Sequence, residues 1–217
     1  MKTAALWSAA AAWFLAAPAP PAQDDVRCAQ ALRELGEGYR NFRSIRARFR
    51  HTLVAPALKQ EELEEGSLVL ARGGKMRWEY TRPAGKLAVT DGRTSYLYLP
   101  GERQVYVQPM DQWENPLAMR LLSGQVQPDR EVRCVSAAKD GDRTLMRLEL
   151  VEQDSGIREL EVAFSAAQGV VTAVRFRDPL GNSVTFELSQ VETGGEFPDS
   201  LFTFQVPQGV QVLGSAP

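Results

Sequence analysis

The sequence predicts a mainly β fold of the α+β type, and three observations predict it. From Gly66 onward apolar and polar residues alternate with period two through segment after segment, and glycine- and proline-containing turns separate the segments. One stretch with helical spacing precedes the first of them, and one apolar stretch, residues 111–124, interrupts the series. The chain of 217 residues is 44% hydrophobic and 24% charged, a composition that buries a core and is neither disordered nor disulfide-dense.

Residues 1–22 read as a secretory signal peptide. Lys2 supplies a positive start, Ala4 to Ala17 is an apolar run with Leu6, Trp7, Trp13, Phe14 and Leu15, and small residues follow. The run is shorter than the roughly 20 apolar residues a spanning helix needs, and Asp24 and Asp25 follow it. Cleavage after Ala22 leaves Gln23 first, and residues 23–217 then form a single soluble domain in an exported compartment. There, Cys28 and Cys134 have two open readings. A bridge would close a long loop and contribute about 4 to 5 kcal/mol in the chain-entropy model, whereas two separately buried thiols would contribute nothing of the kind.

From Val26 to about Phe49 the residues Leu32, Leu35, Tyr39, Phe42, Ile45 and Phe49 recur at three- and four-residue steps, the pattern of an amphipathic helix. Gly36 and Gly38 weaken its middle, so a bend or a break is expected there. The acidic cluster Glu61, Glu62, Glu64 and Glu65 reads as a solvated turn before the first strand.

About ten strands follow. The first carries Leu68, Leu70 and Arg72 on one face, and after Gly73-Gly74 the second carries Met76, Trp78 and Tyr80. Leu87 and Val89, then Tyr96 to Leu99 beyond an Asp91-Gly92 hairpin signal, then Val105 to Val107 continue the series. Met146 to Leu150, Leu160 to Phe164, Val174 with Phe176, Val184 to Leu188 and Phe202 to Val206 complete it. In the interruption, Trp113, Leu117, Met119, Leu121 and Leu122 crowd together, and Asn115-Pro116 opens a short helix. By spacing alone this is permanent core, with a movable cover as the alternative.

The residues exclude several functions. A net charge of −2, from 25 basic and 27 acidic residues spread along the chain, leaves no basic footprint for nucleic acid. One histidine, His51, and two cysteines cannot build zinc centres, and there is no Gly-x-Ser-x-Gly elbow or phosphate loop. What remains is a large curved sheet with one apolar face. That face needs a filling of side chains or a ligand, because water against it costs about 25 cal/mol per Å².

The segment Gly66-Ser-Leu-Val-Leu-Ala-Arg-Gly-Gly-Lys-Met-Arg-Trp-Glu-Tyr-Thr-Arg-Pro83 resembles the core motif of the LolA family, the periplasmic carriers of outer-membrane lipoproteins. Asp91 to Pro100 is similar to that family's Asp-Gly hairpin, and Leu201 to Gly209 to its terminal strand. Gly73 stands where the family commonly has proline. The resemblance implies an incomplete antiparallel β-barrel of about ten or eleven strands, covered by an N-terminal helix and a short lid helix. It further implies a cavity for acyl chains, with the arginine matching Arg72 bonded to the lid from inside.

On this resemblance the candidate ligand-binding residues are Arg72 as latch, Leu68, Leu70, Met76, Trp78, Tyr80, Leu87 and Val89 as wall, and Leu117, Met119, Leu121 and Leu122 as a lid that moves. The implied partners are acylated lipoproteins, an inner-membrane ABC-type lipoprotein-releasing transporter and an outer-membrane acceptor, served by a monomer. No catalysis, cofactor or metal is implied. A carrier of another envelope lipid or glycolipid, and a lipid-sensing regulatory module on the same fold, are the alternatives.

Overall fold

The computed structural model describes residues 23–110, 117–151 and 157–214. The expected leader at 1–22 lies outside the described residues, as do Asp111, Trp113, Asn115 and Pro116 of the expected cover. Helix α1 (Gln23–Asn41) is followed by strands β1 (Ser44–Ala55), β2 (Gln60–Ala71), β3 (Lys75–Arg82), β4 (Ala84–Asp91), β5 (Thr94–Leu99) and β6 (Gln104–Pro109). Two short helices, α2 (Leu117–Leu122) and α3 (Pro128–Glu131), lead to β7 (Val132–Asp140), β8 (Arg143–Leu150), β9 (Glu159–Ser165), β10 (Val170–Arg177), β11 (Ser183–Thr193) and β12 (Gln211–Gly214).

All twelve strands join one sheet in the order β12-β6-β5-β4-β3-β2-β1-β11-β10-β9-β8-β7. Two meanders, β1 to β6 and β7 to β11, meet where β1 pairs with β11. The sheet is open, with β12 and β7 at its edges, and every pairing among the described residues is antiparallel except that of β12 with β6. The half-barrel expectation therefore stands, with twelve strands in place of ten or eleven.

Three local readings are corrected. The helix ends at Asn41, and Ile45 and Phe49 belong to β1. There Ile45, Ala47 and Phe49 are buried while Arg46, Arg48 and Arg50 are exposed, and both edges of the strand are hydrogen-bonded, to β2 and β11. That two-sided pairing overrides a helical spacing that Ile45 and Phe49 also satisfy. Second, Phe202 to Val206 is not a strand. A 3₁₀ turn, Asp199–Phe202, opens an irregular segment, and the last strand is β12. Third, Glu61, Glu62, Glu64 and Glu65 lie within β2, paired with Val54, Leu53, His51 and Arg50 of β1.

Helix α1 runs unbroken through Gly36 and Gly38. Its buried residues Cys28, Ala31, Leu35 and Gly38 recur at three- and four-residue steps and form one stripe. Gly38 is required there by contact, because a Cβ on it would lie 2.5 Å from the carbonyl oxygen of Gly169, which precedes β10. The two cysteines are bridged: Cys28 of α1 and Cys134 of β7 have Cα atoms 5.5 Å apart and lie 106 residues apart in sequence. Of the two readings left open, the bridge is the one found.

Candidate functional site

Helices α1 and α2 pack on one face of the sheet, called here the inner face. Directly opposed residues of antiparallel strands share a face, so the register identifies its lining. Across β1, β2 and β3 one inner row runs Ile45, Leu70, Met76 and the next runs Ala47, Leu68, Trp78. On the other side of β1, Leu188 and Phe186 of β11, Val174 of β10, Val162 and Leu160 of β9, and Met146 and Leu148 of β8 continue the apolar surface. These last positions were legible as strands but were not assigned to the wall. Their shared face follows only from the closing pair of β1 with β11, which joins strands far apart in sequence.

Of the expected wall, Leu68, Leu70, Met76 and Trp78 come together as foreseen. Leu87 and Val89 do not. Val89 is opposite Arg77 and Leu87 opposite Glu79, whereas Trp78 is opposite Ala88. A one-residue offset in a strand places a side chain on the other face. Val89, Val105 and Val107 are buried on the outer face, where the 3₁₀ turn Asp199–Phe202 packs against β3 and β4. Phe204 sits there between Tyr96 and Tyr98, with ring centroids 5.5 and 5.6 Å away.

The expected hollow is filled in this structure. Leu35, Ile45, Leu70 and Leu121 have no exposed surface, and Leu68, Met76, Trp78 and Leu122 expose 2% or less. Side chains covered this completely leave no water-sized space beside them. The inner face is thus closed by the chain's own residues, with Ala118, Leu121 and Leu122 of α2 fully buried and Leu117 and Met119 half-buried.

Arg72 sits just beyond β2, exposed, and its side chain does not reach α2. Its Nε donates to the carbonyl oxygen of Phe42 and its Nη2 to that of Arg40 at 2.7 Å, while its backbone N–H donates to the carbonyl oxygen of Arg43. It thereby caps the C-terminal end of α1, where carbonyls lack intrahelical partners and the helix dipole favours a cation. The expected latch on the lid is corrected accordingly.

The residue bonded to the lid is Tyr39, which the sequence marked only as an apolar position of α1. Its hydroxyl donates to the carbonyl oxygen of Leu121 at 2.7 Å. Burial, reinforced by the carboxylate of Glu131, pushes this phenol far above its ordinary range, so it stays protonated and able to donate. The ring lies against Gly124, where a Cβ would come within 3.0 Å of it. Arg120 of α2 forms a hydrogen-bonded ion pair with Glu131, which also accepts the backbone N–H of Gln127 at 2.7 Å.

Toward the ends of β1 and β3 remote from the helices, the inner face turns polar. Glu64 of β2 accepts from Lys86 Nζ at 2.6 Å and lies 3.0 Å from His51 Nδ1. His51 stacks on Phe186, with centroids 4.1 Å apart, and Lys86 lies 4.4 Å above the ring of Tyr80. Burial raises the Glu64 carboxyl, but the hydrogen bonds and charges of His51 and Lys86 outweigh it and hold the group below its ordinary value. Burial and the neighbouring Glu64 push the Tyr80 phenol upward.

This arrangement defines a class: a single-sheet half-barrel whose apolar inner face is roofed by helices. The family model described as outer membrane lipoprotein carrier protein LolA matches residues 40–205, and the chain belongs to that family. Among relatives, the outer-membrane lipoprotein carrier protein of Chromobacterium violaceum is 29% identical over 208 residues, covering 96% of this chain and 95% of that one. The protein of the same description from Dechloromonas aromatica is 25% identical over 186 residues, covering 86% and 88%. The fold is shared with an uncharacterized conserved protein from Thermus thermophilus, at a TM-score of 0.56 and 14% identity over 85% of this chain and 98% of that one. MucB shares it too, at a TM-score of 0.51 and 16% identity, covering 87% of this chain and 66% of that one.

Proposed function

We propose that the protein carries lipoproteins toward the outer membrane by holding their acyl chains against the inner face of the sheet, beneath α1 and α2. Membership of the carrier family supports the task, which is transport and involves no covalent step. The observation that carries the acyl-holding reading is a continuous apolar inner face roofed, in part, by a six-residue helix. Each methylene removed from water gains about 0.8 kcal/mol, so a two- or three-chain anchor cannot cross an aqueous compartment bare. A closed empty form competes with the cargo for the same face, which keeps binding weak enough for release.

The wall in this reading is Leu68, Leu70, Met76 and Trp78 with Ile45 and Phe49 of β1, bounded by Tyr80. The moving part is α2 with Leu117, Met119, Leu121 and Leu122. Arg72 acts by fixing the end of α1 from which Tyr39 reaches the lid. Residues 1–22 direct export, residues 23–217 work as one domain, and the compartment is the periplasm, in keeping with the Cys28–Cys134 bridge. The donor is an inner-membrane ABC-type lipoprotein-releasing transporter and the recipient an acceptor at the outer membrane.

Tryptophan fluorescence tests the reading. In the secreted protein with Trp113→Phe, Trp78 is the remaining reporter. Its emission should shift on adding a diacylated lipopeptide and stay put on adding the same peptide without acyl chains. An equal response to both overturns the assignment.

A further inference from the structure

Trp78 carries the one buried side-chain polar atom, among the described residues, that has no hydrogen-bond partner: its indole Nε1. The residue is 2% exposed, and its ring packs edge-on to Phe49 at 4.9 Å and to Phe186 at 6.3 Å. A donor shut away from water without an acceptor destabilises the form that contains it. A phenylalanine would meet the packing need without that penalty, so the N–H calls for an acceptor that the closed chain does not supply.

The position of Trp78 on the inner face indicates what brings that acceptor. One inner step back along β3 is Met76, opposite Leu70, in the fully buried apolar zone. One step forward is Tyr80, and beyond it lie Lys86, Glu64 and His51, joined by the Lys86–Glu64 ion pair and the His51–Glu64 hydrogen bond. Trp78 therefore stands at the seam between an apolar zone and a polar strip. A lipidated cysteine has the same order of chemistry: hydrocarbon tails, then ester or amide carbonyls, then a polar glyceryl and peptide portion.

We propose that Trp78 Nε1 donates to an acyl carbonyl oxygen of the bound lipid, with the tails running toward Met76 and Leu70 and the polar portion toward His51, Glu64 and Lys86. The inference rests on the acyl-holding reading above and adds to it a chemical preference, for ester- or amide-linked acyl chains over ether-linked alkyl chains of equal length. The hydrogen bond exists only in the loaded form, because the closed form leaves the donor unpartnered.

Calorimetry with two lipopeptides, one carrying two ester-linked chains and the other two ether-linked chains of the same length, tests this on the secreted protein. Wild type should bind the ester about threefold to tenfold more tightly, the range of one net hydrogen bond. Trp78→Phe should bring the ester-to-ether affinity ratio to about one, a ratio in which any loss of wall contact common to both ligands cancels. In parallel, the indole N–H resonance of Trp78 in the Trp113→Phe protein should move downfield with the ester ligand and not with the ether. Equal wild-type affinities, an ester preference that survives in Trp78→Phe, or no ester-specific shift of the indole resonance in the Trp113→Phe protein would each overturn the carbonyl contact and leave the carrier reading intact. Failure of wild type to bind either ligand overturns the acyl-holding reading itself, and the carbonyl contact with it.

Discussion

Tyr39 of α1 donates a 2.7 Å hydrogen bond to the main-chain oxygen of Leu121, so a phenol bonds α2 to the helix beside it. The carbonyl belongs to the last turn of α2, where it otherwise accepts only a long 3.5 Å bond from the backbone N–H of Gly124. The phenol thus supplies the shorter of the two bonds to this carbonyl and ties α2 to α1.

Tyr39→Phe removes that bond and keeps the ring. The loss in stability should be about 1 kcal/mol, read from urea unfolding. Amide exchange over residues 117–124 should accelerate more than exchange in β8 or β9. Uniform acceleration across the sheet would show a global effect and contradict the latch.

Arg72→Leu frees the carbonyls of Arg40 and Phe42, loosening the helix end from which Tyr39 projects. Because both residues act on one contact, the double variant with Tyr39→Phe should be less destabilised than the sum of the single variants. Additive effects within about 0.3 kcal/mol would mean that Arg72 does not act through Tyr39.

Gly36 and Gly38 lie two residues apart on one helix and should respond oppositely to alanine. At Gly36 the nearest obstacle is the tip of Arg40 at 3.5 Å, so Gly36→Ala should stabilise by up to about 1 kcal/mol through helix propensity. At Gly38 the same gain meets main-chain oxygen of Gly169 at 2.5 Å, a clash with backbone that costs about 1–3 kcal/mol or more. Thermal unfolding of the pair checks the sign of each.

Reducing the Cys28–Cys134 bridge, or Cys28→Ser with Cys134→Ser, should lower stability by about 4 to 5 kcal/mol if loop closure dominates. A urea midpoint unmoved by reductant would contradict this.

Glu64 titrates below its ordinary value when folded, so its contribution is complete above the unfolded value of about 4.3 and is lost as pH falls through the folded one. Stability measured between neutral pH and pH 3 should fall less steeply for Glu64→Gln than for wild type, with the curves converging in acid. Parallel curves would remove Glu64 from the acid response.

The sequence made β8 to β11, β3 to β6 and the second half of β2 legible, because runs such as Leu68-Leu70 and Met76-Trp78-Tyr80 alternate without ambiguity, but it did not mark β7 as a strand, its Cys134, Ser136 and Ala138 being weak apolar markers. It hid β1, since Ala47 is a weak apolar marker and the spacing of Ile45 from Phe49 also suits a helix. Leu87 and Val89 were misplaced for a different reason. Alternation gives two faces but does not say which is inner, and here both are apolar, one roofed by α1 and α2 and the other covered by the segment holding Phe202 and Phe204. Tyr39 was visible as an apolar helix position, but its hydroxyl partner is 82 residues away and has no local signature. The motif around Arg72 identified the family correctly while suggesting a contact that in this chain goes to α1.

The disulfide has a mechanical corollary. With the start of α1 covalently fastened to the sheet edge and its end gripped by Arg72, room for cargo in the proposed carrier would come chiefly from lifting α2. Uncovering Leu121, Leu122 and Ala118 costs about 5 kcal/mol, which burial of about six methylenes offsets. In that carrier the roof would work as a length gauge: tails shorter than that would leave it down, and longer ones would prop it open.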